Sequence, residues 1–455
     1  MHREHLGSRL GFILLSAGCA IGIGNVWKFP WMTGQYGGGA FVVIYLIFLL
    51  ILGVPVLTME FAMGRAAQKS PLKMYQTLKP GSHWRWHGYV CLLGNVVLMM
   101  FYTTVAGWML QYFVDTAAGR FVGLDVSGVE TAFGSMLANP VQQTVYMGVI
   151  VISGFFIISI GVQKGLERVT KWMMMALIVL MLALAVHSLF LPGGSEGLKF
   201  YLLPDIQRLK DAGVGNVIVG AMNQSFFTLS IGIGSMAIFG SYIDKQRSLT
   251  GESIHILLLD TFVALMAGLI IFPACFAFSV APNSGPGLIF ITLPNIFNAM
   301  DGGILWGTLF FVFMSCAALS TVIGVFENII SYSVDVSGMP RRRACAVHFV
   351  CLWLASLPCA LGFNLLADFQ PLGPGTCVLD LEDFLLSNNL LPFGCLLFLL
   401  FCSWRRGWGW DNFVAEVNQG QGVRFPRFMK YYLRYGLPCI ILLVFVMGYV
   451  DKFGK

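Results

Sequence analysis

Four ionisable side chains lie within long apolar stretches of the sequence: Lys28, Glu60, Asp260 and Glu327. A charge at membrane depth costs about 3 kcal/mol or more, so each is a functional candidate, and a carboxylate there can hold a cation or a proton. Lys28 could instead extend to the membrane surface, and Glu60 and Glu327 could accept hydrogen bonds from freed backbone amides. Asp260 is the strongest candidate, because its own segment carries no Lys or Arg.

Two of the apolar stretches are interrupted by glycine and polar residues. The first interruption, Ala17 to Pro30, carries Asn25, and the second, Asn223 to Gly234, carries Thr228 and Ser230. Glycine weakens a helix by roughly 1 kcal/mol relative to alanine, and broken backbone at membrane depth must be satisfied by protein or by a polar cavity. Half-helix amino ends suit a carboxylate and unwound carbonyls suit a small cation. One site can therefore hold an amino acid together with sodium.

The elements that must position these residues are membrane helices. Hydrophobic residues make up 57% of the 455 residues, charged residues make up 11%, and the mean hydropathy is +0.77. Apolar windows of roughly 20 residues, the length that spans a bilayer, predict eleven transmembrane helices. The fold class predicted is an all-α polytopic membrane protein, embedded in the lipid bilayer of the plasma or inner membrane.

The interrupted helices are the first and the sixth of these spans. Because the offset of five is odd, they cross the membrane in opposite senses, which predicts an inverted repeat of five plus five helices with one extra C-terminal helix. The predicted boundaries are 1–190 for helices 1 to 5, 191–405 for helices 6 to 10, and 406–455 for a cytoplasmic loop and helix 11.

Basic residues predict the orientation. With the N-terminus cytoplasmic, 21 of the 28 Lys and Arg residues lie on inner segments and 6 on outer ones, as the positive-inside rule requires. The C-terminus is then extracellular or periplasmic, and the first span stays in the mature protein. The net charge of +6 reflects this topology, so no nucleic-acid partner is expected.

Several motifs along the chain resemble the neurotransmitter:sodium symporter family, and more closely its bacterial amino-acid transporters. They are Gly22-Ile23-Gly24-Asn25-Val26-Trp27-Lys28-Phe29-Pro30, Gly37-Gly38-Gly39-Ala40-Phe41, Gly53-Val54-Pro55, Glu60-Phe61-Ala62-Met63-Gly64-Arg65, Phe226-Phe227-Thr228-Leu229-Ser230 and Ser320-Thr321. The resemblance implies the leucine-transporter fold and sodium-coupled uptake of an amino acid by alternating access.

The resemblance also implies two sodium sites. The first would be formed by the substrate carboxylate with Ala20, Asn25, Thr228 and Asp260. The second would be formed by the carbonyls of Gly18, Ile21 and Ala317 with the hydroxyls of Ser320 and Thr321. Such oxygen ligands suit a hard cation and argue against a transition metal. Asp260 stands where chloride-dependent relatives have asparagine, so its fixed charge would replace the anion and no chloride requirement is expected.

By the same resemblance, the substrate carboxylate would meet the amides of Ile23 and Gly24 and the hydroxyl of Tyr102. Gly22 stands where amine transporters carry an aspartate, which favours an α-amino acid. An apolar pocket predicts a neutral, hydrophobic or aromatic side chain, but the particular amino acid stays open. The predicted substrate-binding residues are Cys19, Ala20, Ile23, Gly24, Leu98, Tyr102, Phe227, Thr228, Ser230, Ile233, Thr321, Gly324 and Val325.

Two gates are implied as well, Lys28 with Asp383 outside and Arg3 with Asp335 inside. The sequence departs from the family pattern in three places. Lys28 replaces an arginine, which removes a bidentate fork and predicts a weaker outer gate. Leu6 replaces the tryptophan of the inner vestibule, and Met175 replaces a proline in the fifth helix, so how the inner side opens is not predicted.

Other functions stay open at this point. A proton-coupled carrier of the same fold would use Asp260 or Glu327, although the hydroxyls of Ser320 and Thr321 disfavour it. A sensor would bind the amino acid without moving it, but the inner loops are short. An enzyme is not expected, because no His, Cys and Asp cluster has catalytic spacing. The chain is expected to be a monomer or a weak homodimer, and the sodium stoichiometry and any proton antiport are not predicted.

Overall fold

Eleven membrane helices account for most of the residues that the computed structural model describes, 8–278 and 287–453. They are α1 (Arg9–Ala20 and Gly24–Gln35), α2 (Gly39–Ala67), α3 (Arg85–Ala117), α4 (Pro140–Ser159), α5 (Val162–Leu189), α6 (Val214–Thr228 and Ser235–Gly240), α7 (Leu249–Ala277), α8 (Gly303–Ser337), α9 (Arg341–Leu361), α10 (Val378–Ser403) and α11 (Arg427–Val450). Short helices connect them: Pro71–Leu78, Val126–Ala138, Gly194–Leu202, Ile206–Asp211, Leu288–Ala299 and Trp410–Val417. The all-α prediction is confirmed. Among the described residues, ten of these helices, with the broken α1 counted as one, are long and apolar enough to cross a membrane, and the interrupted α6 is the eleventh of the predicted spans. The repeat boundaries 1–190, 191–405 and 406–455 stay predictions.

Helix α1 is broken where its glycines lie, and its two halves differ in direction by 53°. Its first half ends at Ala20, because Ile21 takes an extended conformation with ψ 102°. The backbone amides freed by the break find partners: Gly22 N donates to Asn25 Oδ1 at 3.1 Å, and Ile23 N donates to the Tyr102 hydroxyl at 2.8 Å. The sequence therefore supplies the hydrogen bonds that keep this break stable at membrane depth.

Helix α6 is interrupted between Thr228 and Ser235. Ser230, Gly232 and Gly234 have positive φ values of 50°, 95° and 71°. A Cβ on Gly232 would lie 2.3 Å from the Leu391 carbonyl oxygen, so only glycine fits there. Glu60 of α2 accepts a hydrogen bond from Gly232 N at 2.6 Å. Its carboxylate therefore has the structural role that the sequence left open.

The broken part of α1 lies inside the helix bundle. The first half of α1 packs against α5, α7 and α8, and α3 packs along α8. Ala17, Cys19 and Ile21 have no exposed surface. Any group that the break of α1 binds is therefore surrounded by protein and shielded from lipid.

Candidate substrate and ion sites

Asp260 of α7 lies between the breaks of α1 and α6 and has no exposed surface. Its Oδ1 accepts a hydrogen bond from Asn25 Nδ2 at 2.8 Å, and its Oδ2 accepts one from Thr228 Oγ1 at 3.0 Å. Within the described residues, no Lys, Arg or His nitrogen lies within 4.0 Å of this carboxylate. A buried carboxylate without a partner of opposite charge needs a cation or a proton. Ala20, also predicted at this site, is the last residue of the first half of α1.

A second group of oxygens lies on the α8 side of the same break. Ser320 Oγ is 3.3 Å from the Ile21 carbonyl oxygen and 2.8 Å from that of Ala317. Thr321 Oγ1 is 3.5 Å from the Gly18 carbonyl oxygen and 3.4 Å from that of Ile21. The structure thus brings together all five residues predicted for the second sodium site. Their oxygens are neutral, and such hard ligands suit a small hard cation.

A narrow cavity, with room for about one water molecule, lies beside both clusters, since Ala20 and Thr321 line it. Eight predicted residues line it: Ala20, Gly24, Leu98, Tyr102, Phe227, Ser230, Ile233 and Thr321. Leu386 and Leu391 of α10 also line it and were not predicted. The other predicted residues, Cys19, Ile23, Thr228, Gly324 and Val325, are buried around the cavity without lining it.

Close packing at two glycines, Gly22 and Gly324, shapes the surroundings of this cavity. A Cβ on Gly22 would lie 2.1 Å from the Tyr102 hydroxyl and 2.2 Å from Thr321 Oγ1, so no aspartate fits at position 22 without a shift of both side chains. A Cβ on Gly324 would lie 2.9 Å from Cys19 Sγ. The Tyr102, Thr321 and Cys19 side chains thus fill the space that side chains at positions 22 and 324 would take, while the cavity itself has a mostly apolar wall.

The two residues predicted for the outer gate, Lys28 and Asp383, form an ion pair. Lys28 Nζ lies 2.7 and 3.0 Å from the two carboxylate oxygens of Asp383 and 3.1 Å from Ser387 Oγ. It also lies 4.2 Å from the centre of the Phe227 ring, which lines the cavity. The ammonium thus contacts three oxygens, so lysine partly compensates for the missing arginine fork. An open vestibule of about 440 Å³ lies beside this pair.

The amino-terminal end of α1 is held by contacts that the sequence did not predict. Arg9 Nε donates to Glu252 Oε1 of α7 at 2.9 Å, and Ser8 Oγ donates to Glu167 Oε1 of α5 at 3.1 Å. The predicted gate residue Arg3 lies outside the described residues, as does Leu6. Its predicted partner Asp335 accepts a hydrogen bond from Ser70 N at 2.5 Å.

The start of α5, which contacts the amino-terminal end of α1, has an irregular helical conformation. Val162–Glu167 forms π-helical turns after Gly161, whose φ is 119°. Met175 lies in the regular helix Arg168–Leu189 that follows. The irregularity of α5 therefore lies at its first turns, before the position where the family carries proline.

Comparison with known proteins identifies the family of the chain. The profile of the sodium:neurotransmitter symporter family matches residues 3–122 and 130–453. The sodium-dependent transporter YhdH of Bacillus subtilis is 35% identical over 96% of both chains. The sodium-dependent serotonin transporter of Drosophila melanogaster is 26% identical and covers 100% of this chain and 78% of its own length. The crystal structure of MhsT in complex with L-phenylalanine has a TM-score of 0.89 at 36% identity and covers 98% of this chain and 100% of MhsT.

The fold and the two oxygen clusters define a multi-pass membrane transporter with paired broken helices. The chain belongs to the sodium:neurotransmitter symporter family. The resemblance inferred from the motifs is thereby confirmed. The family consists of sodium-dependent transporters, and the protein is not an enzyme.

Proposed function

We propose that the protein is a symporter that couples sodium entry to the uptake of a neutral, hydrophobic or aromatic L-amino acid, without a need for chloride. The observation that carries this proposal is the buried Asp260 carboxylate, which faces Asn25 and Thr228 at the meeting point of both helix breaks. Sodium bound there would supply the missing positive charge. Because the carboxylate is part of the chain, no chloride ion is needed to balance that cation.

The cluster of neutral oxygens around Ser320 and Thr321, called the neutral cluster below, supports the proposal of a second sodium ion. Ser320 and Thr321 of α8 face the carbonyls of Gly18 and Ile21, so a cation between them would tie α1 to α8. Coupling requires that the ligands bind one conformation more tightly than the other. A cation that connects two helices meets this condition when the helices separate on opening.

The substrate is inferred from the cavity wall. Leu98, Phe227, Ile233, Leu386 and Leu391 are apolar and would receive a hydrophobic or aromatic side chain. The Tyr102 hydroxyl and the amide end of the second half of α1 would meet the carboxylate, since a helix amino end carries partial positive charge. The similar MhsT has been crystallised with L-phenylalanine, which supports this substrate class.

The proposed orientation places the N-terminus in the cytoplasm and the C-terminus outside. This orientation rests on the excess of basic residues in the segments on one side of the membrane, which contain 21 of the 28 Lys and Arg residues. The Lys28–Asp383 pair then closes the outer side of the cavity. The contacts of Ser8 and Arg9 close the inner side.

Binding of radiolabelled L-phenylalanine to the purified protein tests this function. Binding should rise with sodium, should stay low in potassium, and should not change when gluconate replaces chloride. Competition by each of the twenty amino acids should rank hydrophobic and aromatic ones first. Binding that is equal in potassium and responds to acid pH alone would overturn sodium coupling in favour of a proton-coupled carrier.

A further inference from the structure

A groove lies on the outer surface of the helix bundle, between the start of α3 and the second half of α10. It is an open surface groove with a mostly apolar lining. Its apolar wall includes Trp86, Val90, Phe393 and Leu397. Trp86 is 59% exposed and Phe393 is 47% exposed. Both side chains lie on membrane helices, and exposed apolar groups there suit contact with lipid.

One arginine lines the groove and a second lies beside one of its wall residues. Arg406 lines it, and the Arg85 guanidinium lies 5.7 Å from the centre of the Trp86 ring. The sequence has no Asp or Glu between Glu60 and Asp115 or between Asp383 and Asp411. In the part of the chain that the structure describes, no carboxylate lies within 4.0 Å of either guanidinium. Both charges are thus available to an anion.

The groove is preformed by packing of its walls. Trp84 Nε1 donates to the Arg406 carbonyl oxygen at 3.1 Å, and the Trp84 ring packs edge-on against Phe401 at 5.2 Å. Beneath them the Tyr75 hydroxyl hydrogen-bonds to His87 Nδ1 at 2.6 Å. These contacts fix the loop before α3 to the end of α10. A ligand would therefore enter an existing site.

We propose that this groove binds one anionic phospholipid of the cytoplasmic leaflet. Its phosphate lies at Arg85 and Arg406, and one acyl chain lies along Trp86, Val90 and Phe393. Basic pockets between membrane helices on the cytoplasmic side suit anionic headgroups, while aromatic rings suit the interface. The proposal rests on the orientation proposed above and is independent of the substrate and of sodium.

Native mass spectrometry tests the proposal. The protein is extracted from bilayers of phosphatidylethanolamine with a minor fraction of phosphatidylglycerol, without sodium or amino acid. The unmodified protein should retain one phosphatidylglycerol. The double variant R85Q/R406Q should retain it on the order of tenfold less tightly. The matched control R342Q/R343Q loses the same charge at the exposed start of α9, and it should retain the lipid.

A second variant separates the groove from general attraction of anions. Leu397→Trp keeps both arginines but fills the groove, so it should also lose the lipid. Gel filtration and thermal unfolding of each variant check that the fold is intact. Equal retention by R85Q/R406Q and R342Q/R343Q, or full retention by Leu397→Trp, would overturn the proposal. Displacement of the lipid by inorganic phosphate alone would show a phosphate site and would overturn it too.

Discussion

The two oxygen clusters beside the break of α1 differ in charge. The cluster around Asp260 contains a buried carboxylate, whereas the cluster around Ser320 and Thr321 contains only carbonyl and hydroxyl oxygens. A fixed charge acts on all nearby ions, while neutral ligands act mainly through distance and number. We therefore expect the Asp260 cluster to govern both ion charge balance and substrate binding. The neutral cluster around Ser320 and Thr321 should act mainly on sodium affinity, although Thr321 also lines the substrate cavity.

Removing the negative charge of Asp260 should have the largest effect on amino-acid uptake. Asp260→Asn keeps the side-chain size but takes away the charge that balances sodium and turns one acceptor oxygen into a donor, which is expected to lower uptake on the order of 100-fold. Added chloride should restore part of the activity, because a mobile anion can replace the fixed one. Uptake of labelled amino acid by proteoliposomes in chloride and in gluconate measures both effects. An Asp260→Asn protein with normal uptake in gluconate would remove the distinction between the clusters.

A smaller effect on sodium-dependent binding is expected when the Asp260 carboxylate stays but loses one of its hydrogen-bond donors. Thr228→Val removes the hydroxyl that donates to Asp260 Oδ2 at 3.0 Å, and loss of a hydrogen bond to a charged group should weaken sodium-dependent binding roughly tenfold. Thr228→Ser keeps the hydroxyl and serves as the control. If valine and serine bind sodium equally well, Thr228 does not support the charged cluster.

In the neutral cluster, Thr321→Ala should raise the sodium concentration for half-maximal uptake about fivefold, which is the effect of losing one neutral ligand. Chloride should not change this result, in contrast to Asp260→Asn. Thr308→Ala, on the same helix but away from the cluster, is the matched control. A chloride response of Thr321→Ala would show that both clusters share one ion-balance mechanism.

The outer gate provides a reference outside both clusters. Lys28→Gln breaks a partly exposed ion pair with Asp383, so bound amino acid should dissociate about two- to threefold faster. Sodium dependence should be unchanged. Stopped dilution of labelled substrate measures the dissociation rate. A large shift in sodium affinity would connect the gate to an ion site.

Most residues of the two candidate sodium sites could be predicted from the sequence. Polar residues such as Asn25, Thr228 and Asp260 are conspicuous in apolar helices, since burying them without a role is costly. The motifs that resemble the symporter family assigned these residues to the first sodium site. The structure brings Asn25 and Thr228 to the same carboxylate, as the resemblance implied.

Other parts of the site had no signal in the sequence. Leu386 and Leu391 line the cavity, but a leucine in an apolar membrane helix looks the same whether it faces a ligand, a neighbouring helix or lipid. The Arg9–Glu252 pair joins residues 243 positions apart. Such contacts depend on how helices pack, and hydropathy patterns do not specify that packing.

The most direct test of the central claim is uptake of labelled amino acid by proteoliposomes that contain gluconate on both sides. An inward sodium gradient should drive accumulation, whereas potassium with or without a proton gradient should not. Accumulation without sodium, or accumulation that requires chloride, would contradict the assignment of Asp260 as the fixed charge of a sodium site.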